Sequence, residues 1–249
     1  MRKKQLLKNL FEQDGIIRIA GAHNGLSAKL VEKAGFDGVW VSGFEISASY
    51  AVPDANILTM TQYLESAETM NTAVSIPIIA DCDTGYGNSN NVIHMVKKYE
   101  MAGVAAVCIE DKLFPKVNSF VAGRQDLASI PEFVGKIMAA TNSREDKNFM
   151  VIARTEALIN SLGLDEAIKR AHAYVNAGAD AILVHSKSKT PDEIIQFMDK
   201  WDNSAPIVVV PTTYSQIRLN EMKDLGIKMV IYANQGIRAS IKAVNKIYS

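Results

Sequence analysis

At 249 residues the chain is long enough to bury a substantial core, as one large α/β domain or two small ones. Its 48% hydrophobic and 22% charged residues are ordinary for a soluble globular protein. With 27 Lys+Arg against 27 Asp+Glu there is no basic surplus for nucleic acid and no polybasic membrane patch, which leaves a small molecule as the expected partner.

The chain begins MRKKQLLKNLFEQ, basic residues set among leucines with no apolar core and cleavage site behind them. That pattern predicts an amphipathic first helix rather than a signal peptide. No apolar run approaches the ~18 residues a membrane span needs. A first strand follows at 16–20 (IIRIA), and then a phrase recurs. "EKAGFDGVWVSG", "EMAGVAAVCIED", "VNAGADAILVHS" and "KDLGIKMVIYAN" each end a helix, turn at Gly35, Gly103, Gly178 or Gly226, and enter a short apolar strand with a polar end. Glycine relieves the left-handed helix C-cap, and an unbroken apolar run suits a parallel strand buried on both faces.

Further strands are predicted at 38–42, 77–81, 104–110, 149–154, 180–185, 206–210 and 228–232. Helical patterns such as NNVIHMVKKYEMA, LDEAIKRAHAYVNA and PDEIIQFMDKW separate most of them. Eight strand–helix units at this length predict one α/β domain over residues 1–249, a (β/α)8 TIM barrel. A doubly wound sheet is the alternative, but no glycine-rich dinucleotide fingerprint follows the first strand. Cys82 and Cys108 are too few for a disulfide framework, so a cytoplasmic protein is expected.

Barrel active sites form at the C-terminal strand ends. Here those ends read Ser42, Asp81, Glu110, Arg154, His185, Pro211-Thr212 and Asn234. Solvent contact alone makes strand ends polar, but it does not call for one side chain of nearly every chemical type. IADCDTGYG places Asp81 and Asp83 two residues apart, on one face while the strand stays extended, and Glu110-Asp111 close the next strand. Carboxylates gathered there repel unless a cation neutralises them. Oxygen ligands without a histidine cluster favour Mg²⁺, with Mn²⁺ as a substitute, over Zn²⁺. The blander reading is that these acids cap helices or pair with Lys112 and Lys116.

DCDTGYGN, EDKLFPKVNS, ARTEA and ADAILVHSKS together resemble the phosphoenolpyruvate mutase family of the isocitrate lyase superfamily, through nearly the whole chain. D-x-D-T-G-Y-G marks only the superfamily. E-D-K-x-F-P-K-x-N-S is more specific, and the K-(K/R)-C-G-H loop of the carbon–carbon lyases is absent. The resemblance implies interconversion of phosphoenolpyruvate and phosphonopyruvate. It implies Asp81 as the direct Mg²⁺ ligand, with Asp83, Glu110 and Asp54 holding metal-bound waters. Ser42, Gly43 and Phe44 would grip the pyruvoyl end, with Trp40 either a wall of the site or barrel packing. Arg154 and His185 would hold the phosphoryl group, joined by Lys116, Asn118 and Ser119 from a mobile lid at about 111–125.

Arg154 also reads as a structural ion-pair partner, His185 as a loop cap, Lys116 as a solvated charge and Asp54 as a turn aspartate. The second-strand loop departs from the family: Val41 replaces a small residue, Phe44-Glu45 replaces Leu-Ser, and VPD replaces Val-Arg-Asp. The chain ends at Ser249, soon after one helix, whereas superfamily members often continue and swap a C-terminal helix. A homo-oligomer, dimer or tetramer, is what the resemblance implies. Phosphonopyruvate hydrolase is the nearest rival function, with Asn118-Ser119 matching the mutase lid. A carbon–carbon lyase or decarboxylase is a weaker one, and a non-catalytic barrel would be marked by lost acids or a lost lid lysine.

Overall fold

The computed structural model describes residues 3–123 and 125–249. The first two residues of the expected first helix, and residue 124 inside the expected lid, lie outside the described residues. The chain opens with α1 (Lys3–Glu12), β1 (Ile17–Ala22), α2 (Gly25–Lys33), β2 (Gly38–Val41), α3 (Gly43–Ser49) and α4 (Met60–Ala73). It continues with β3 (Ile78–Asp81), α5 (Ser89–Met101), β4 (Ala106–Glu110), α6 (Ile130–Ser143), β5 (Met150–Thr155) and α7 (Leu164–Asn176). The last third holds β6 (Ala181–Val184), α8 (Asp192–Lys200), β7 (Ile207–Val209), α9 (Leu219–Asp224), β8 (Met229–Tyr232) and α10 (Gln235–Tyr248).

The eight strands pair in chain order, all parallel, and β8 closes on β1 with Ile19 opposite Ile231. The expected (β/α)8 barrel is therefore the fold. Gly35, Gly103, Gly178 and Gly226 all take positive φ, between +78° and +98°, where the repeated phrase leaves its helix. Strand bounds differ from the sequence expectation by one or two residues; β1 runs to Ala22, and β6 stops at Val184, one short of His185. The loop expected after β2 contains α3, a helix too short to carry a periodic signal.

Alternation along the strands sorts the core into two layers. Val39, Ile78, Val107 and Val151 face the helices, whereas Trp40, Ile79, Cys108, Ile152 and Leu183 fill the barrel interior. Leu7 of α1 joins the inner layer with no exposure and plugs its N-terminal end. This parity positions the site. Two residues beyond Trp40, Ile79, Cys108, Ile152 and Leu183 come Ser42, Asp81, Glu110, Arg154 and His185. Each continues an inward-facing row up to the C-terminal rim.

Candidate active site

The rim encloses a cavity of about 50 Å³ lined by Asp54, Asp81, Lys116, Asn118, Arg154 and His185, among others. Trp40, Ser42 and Phe44 line it too, so Trp40 is both barrel packing and a wall of the site. Gly43 sits against the acids: a Cβ there would stand 3.5 Å from Asp83 Oδ1 and 3.6 Å from Asp81 Oδ2. Ser42 caps α3 by accepting from Glu45 N at 3.3 Å. The Glu45 carboxylate turns away from the cavity, with Oε2 2.9 Å from His23 Nδ1, so it adds no charge where an anion would bind.

Asp81 and Asp83 do come together, but not as neighbours on one extended face. β3 ends at Asp81, and Asp83 takes φ +49°, so a left-handed residue swings its carboxylate back. Asp83 N donates to Asp81 Oδ1 at 3.3 Å, and Asn56 Nδ2 donates to Asp83 Oδ2 at 2.7 Å. Asp111 is a second correction. Its side chain has the opposite parity to Glu110 and points behind the barrel. There it accepts from Tyr174 Oη at 2.6 Å, Arg170 at 3.2 Å and Glu156 N at 2.8 Å. It braces the β5 end and takes no part in the acid cluster.

Residues 113–123 fold over the mouth. The base of this loop is clamped, Leu113 N donating to Asp126 O and Ala128 N to Asp111 O. Lys116 Nζ lies 2.6 Å from Asp54 Oδ1 and 3.0 Å from Asp83 Oδ1, and Asn118 Nδ2 donates to Asp54 Oδ2 at 2.8 Å. The Phe120 ring meets His185 edge-on with centroids 5.4 Å apart. Lys116 is therefore no solvated surface charge; 7% of it is exposed.

The electrostatics are those of crowded acids. Burial opposes charge on Lys116, but the carboxylates of Asp83, Asp54, Glu110 and Asp81 outweigh it and hold the ammonium well above its usual range. Burial also pushes Asp81 up to about 6 and Asp83 up to about 7, with neighbouring carboxylates adding to the rise. At Asp54 burial acts the same way, but Lys116 and Asn118 win and its carboxyl stays below the ordinary value. Burial lowers the His185 imidazole, with Glu156 partly opposing. Its Nδ1 is 2.7 Å from Glu156 Oε1 and 2.8 Å from Arg154 Nη2. A neutral ring donates to the first or accepts from the second.

Sequence reading missed three participants. Glu156, quoted within ARTEA but given no role, has no exposure and bonds Arg154, His185 and Ser119. Its spacing of two from Arg154 was the available signal. Lys112 donates to Ser119 Oγ at 2.7 Å, and Asn56 Oδ1 accepts from Lys116 N at 2.6 Å. No spacing rule reaches those contacts.

The acids fit a divalent cation held mostly through water. Glu110 Oε1 is buried with no hydrogen-bond partner, and so is Asp83 Oδ1, although the Lys116 ammonium stands near it. Asp54, Asp81, Asp83, Glu110 and Glu156 oppose Lys112, Lys116 and Arg154, leaving an excess of two negative charges when all are ionised. Among the described residues no three His, Cys, Asp or Glu side chains are gathered to bind one ion directly. One direct carboxylate and several retained waters is the habit of Mg²⁺.

Residues 7–249 match the family model described as phosphoenolpyruvate phosphomutase. The phosphonopyruvate hydrolase of Variovorax sp. (strain Pal2) is 51% identical over 251 residues, covering 100% of this chain and 87% of the relative. The solved phosphoenolpyruvate phosphomutase of Streptomyces platensis subsp. rosaceus superposes with a TM-score of 0.97 at 57% identity, covering 98% of this chain and 85% of that one. A phosphonopyruvate hydrolase solved in complex with oxalate and Mg²⁺ superposes with a TM-score of 0.95 at 50% identity, covering 100% and 86%. Mutases and hydrolases thus stand at similar distances. Among the described residues no helix is long and apolar enough to cross a membrane. Barrel, acid cluster and whole-length similarity agree: the chain belongs to the phosphoenolpyruvate phosphomutase family of enzymes, within the isocitrate lyase/PEP mutase superfamily.

Proposed function

We propose that this enzyme interconverts phosphoenolpyruvate and 3-phosphonopyruvate. The observation that carries the reading is the lid amide: Asn118 reaches into the closed cavity and donates to Asp54, beside Lys116, Arg154 and His185. From the phosphonate side, the C–P bond breaks with its electron pair left on carbon 3, giving the pyruvate enolate. The phosphoryl group then bonds to the enolate oxygen, so no atom is gained or lost. Such a transfer needs cationic donors around the phosphoryl oxygens and a site closed to water.

Arg154 presents a permanent charge and a planar fork, already aligned by Glu156 at 2.5 Å. Lys116 adds an ammonium and Asn118 an amide from the lid, while Phe120 closes over His185. Ser42, Gly43, Phe44 and Trp40 form the opposite wall, where the pyruvoyl end would lie. Mg²⁺, with Mn²⁺ as a substitute, would be held by Asp81 directly and by Asp83, Glu110 and Asp54 through water, and would neutralise charge on the enolate. The two buried, free cysteines suit action in the cytoplasm, and a homo-oligomer is part of the same reading.

A phosphorus NMR time course with phosphonopyruvate, with Mg²⁺ and again with chelator, tests this. A phosphoenolpyruvate signal that chelation abolishes supports it. Inorganic phosphate alone would make the enzyme a hydrolase, the reading favoured by the 51% relative. No change would point to a different α-keto acid. Asn118→Ala should lower turnover about 10²-fold while Mg²⁺ affinity, measured by calorimetry, changes far less, because the one metal-site acid the amide touches is Asp54, which would hold the ion only through water.

A further inference from the structure

Glu156 is buried and aligns Arg154, but its four side-chain contacts reach beyond that residue and divide cleanly. Oε1 faces the phosphoryl clamp, 2.5 Å from Arg154 Nε and 2.7 Å from His185 Nδ1. Oε2 faces the lid, accepting from Ser119 Oγ at 2.6 Å, with Lys112 Nζ at 3.4 Å. We propose that Glu156 is a positioning residue that locks the lid to the clamp, so that Arg154 and His185 are held for phosphoryl transfer only while the lid is shut.

The backbone at Glu156 is fixed from behind. Its N–H donates to Asp111 Oδ1 at 2.8 Å, and Asp111 is itself held by Tyr174 and Arg170. The side chain therefore pivots on a rigid base. A buried carboxylate is tolerated only while its oxygens are paired. Ser119 Oγ satisfies that need with all its capacity: it donates to Glu156 and accepts from Lys112 at 2.7 Å and Arg154 at 3.3 Å. Lys112 in turn donates to Val117 O at 2.8 Å, so it too reads the shape of the lid. Lifting the lid removes Ser119 from Oε2. Arg154 Nη2 loses Ser119 at the same time, and the carboxylate, no longer pinned at Oε2, is free to turn toward water and take Arg154 and His185 out of alignment. Contacts that share one carboxylate couple in this way.

For the proposed mutase, on which the functional consequence rests, the lock separates transfer to the enolate from capture by water. Two readouts test it on the whole protein. Hydrogen exchange of the lid amides at 113–123, in the ligand-free protein, should accelerate about tenfold or more in Glu156→Gln, because an amide cannot accept at both ends. Phosphorus NMR should show Glu156→Gln turning over about 10-fold or more slowly, with an increased share of inorganic phosphate and an unchanged Mg²⁺ affinity. Ser119→Ala, which leaves the buried acid in place, should move both readouts in the same direction. The double variant should be no worse than Glu156→Gln alone, since both remove one lock.

Wild-type exchange at the lid in Glu156→Gln would overturn the proposal, as would effects of the two substitutions that simply multiply. If Glu156→Gln fails to fold, Ser119→Ala alone decides, and unaltered lid exchange in it would overturn the lock. The exchange readout does not depend on the products. A wild-type enzyme that releases only phosphate would sink the mutase reading while exchange still judged the lock.

Discussion

The two ends of the barrel use the same charged residue types to opposite effect. At the N-terminal end the buried and half-buried charges of Arg144, Asp180, Glu100 and Lys4 meet their complements. Arg144 donates to Asp180 Oδ2 at 2.6 Å and to Phe149 O at 2.8 Å, and Asp180 also accepts from Val151 N at 2.8 Å. Glu100 accepts from the N–H groups of Glu145 and Asp146 at 2.8 and 2.7 Å, and from Lys4 at 3.1 Å. At the C-terminal end acids outnumber cations, and three buried carboxylate oxygens, Glu45 Oε1, Asp83 Oδ1 and Glu110 Oε1, lack a hydrogen bond. One end is arranged for stability. The other holds an excess of negative charge that a bound cation would balance, the usual conflict between activity and stability.

The largest expected effect breaks the contrast at the upper end. Asp81→Asn should lower turnover ~10³-fold, because the carboxylate that would bind the metal is gone. The same change should make the metal-free protein more stable, by about 1 kcal/mol, since burial already disfavours the ionised form of this acid. Thermal unfolding in chelator checks it, and a lowered midpoint would mean that the upper acids are not in conflict. Glu100→Ala should do the reverse at the lower end. Loss of a charged acceptor serving two backbone N–H groups and Lys4 should cost about 2–3 kcal/mol, with kcat unchanged. Urea unfolding beside a turnover assay would expose any mistake in that assignment.

The same contrast explains what was legible in the sequence. The repeated helix–glycine–strand phrase carried the barrel, because every unit must solve the same local problem. The inward rows carried Asp81, Glu110, Arg154 and His185 to the rim, because strand parity is a local property. Parity also bears on the mistake over Asp111, which lies one residue past Glu110 and so faces α7. Asp83 escaped the strand pattern through one left-handed residue. Glu156 obeyed parity, and its spacing of two from Arg154 set it in the same inward row, but its link to the lid has no signature until Ser119 and Lys112 are seen to meet it across 37 and 44 residues of chain. The lid's Lys116 and Asn118 were assigned through family resemblance, and their pairing with Asp54 exists only in three dimensions.

The smallest effect sharpens the lower end through pH. Glu32, near the C-terminus of α2, accepts from Ser75 N at 2.6 Å and Ser75 Oγ at 2.5 Å, joining the helix to the turn before β3. Those hydrogen bonds, chiefly the one from the Ser75 hydroxyl, hold its carboxyl down at about 2 against an ordinary 4.5. A carboxyl depressed in the folded state binds fewer protons there than in the unfolded chain. Its contribution is thus complete above pH 4.5 and is lost as pH falls toward about 2. The side chain keeps solvent contact, and screening limits the effect to under ~1 kcal/mol. Glu32→Gln should therefore leave turnover unaltered, lower stability slightly at neutral pH, and flatten the acid limb of a stability–pH curve in that window. A curve parallel to wild type would show that the Ser75 contacts contribute nothing in solution.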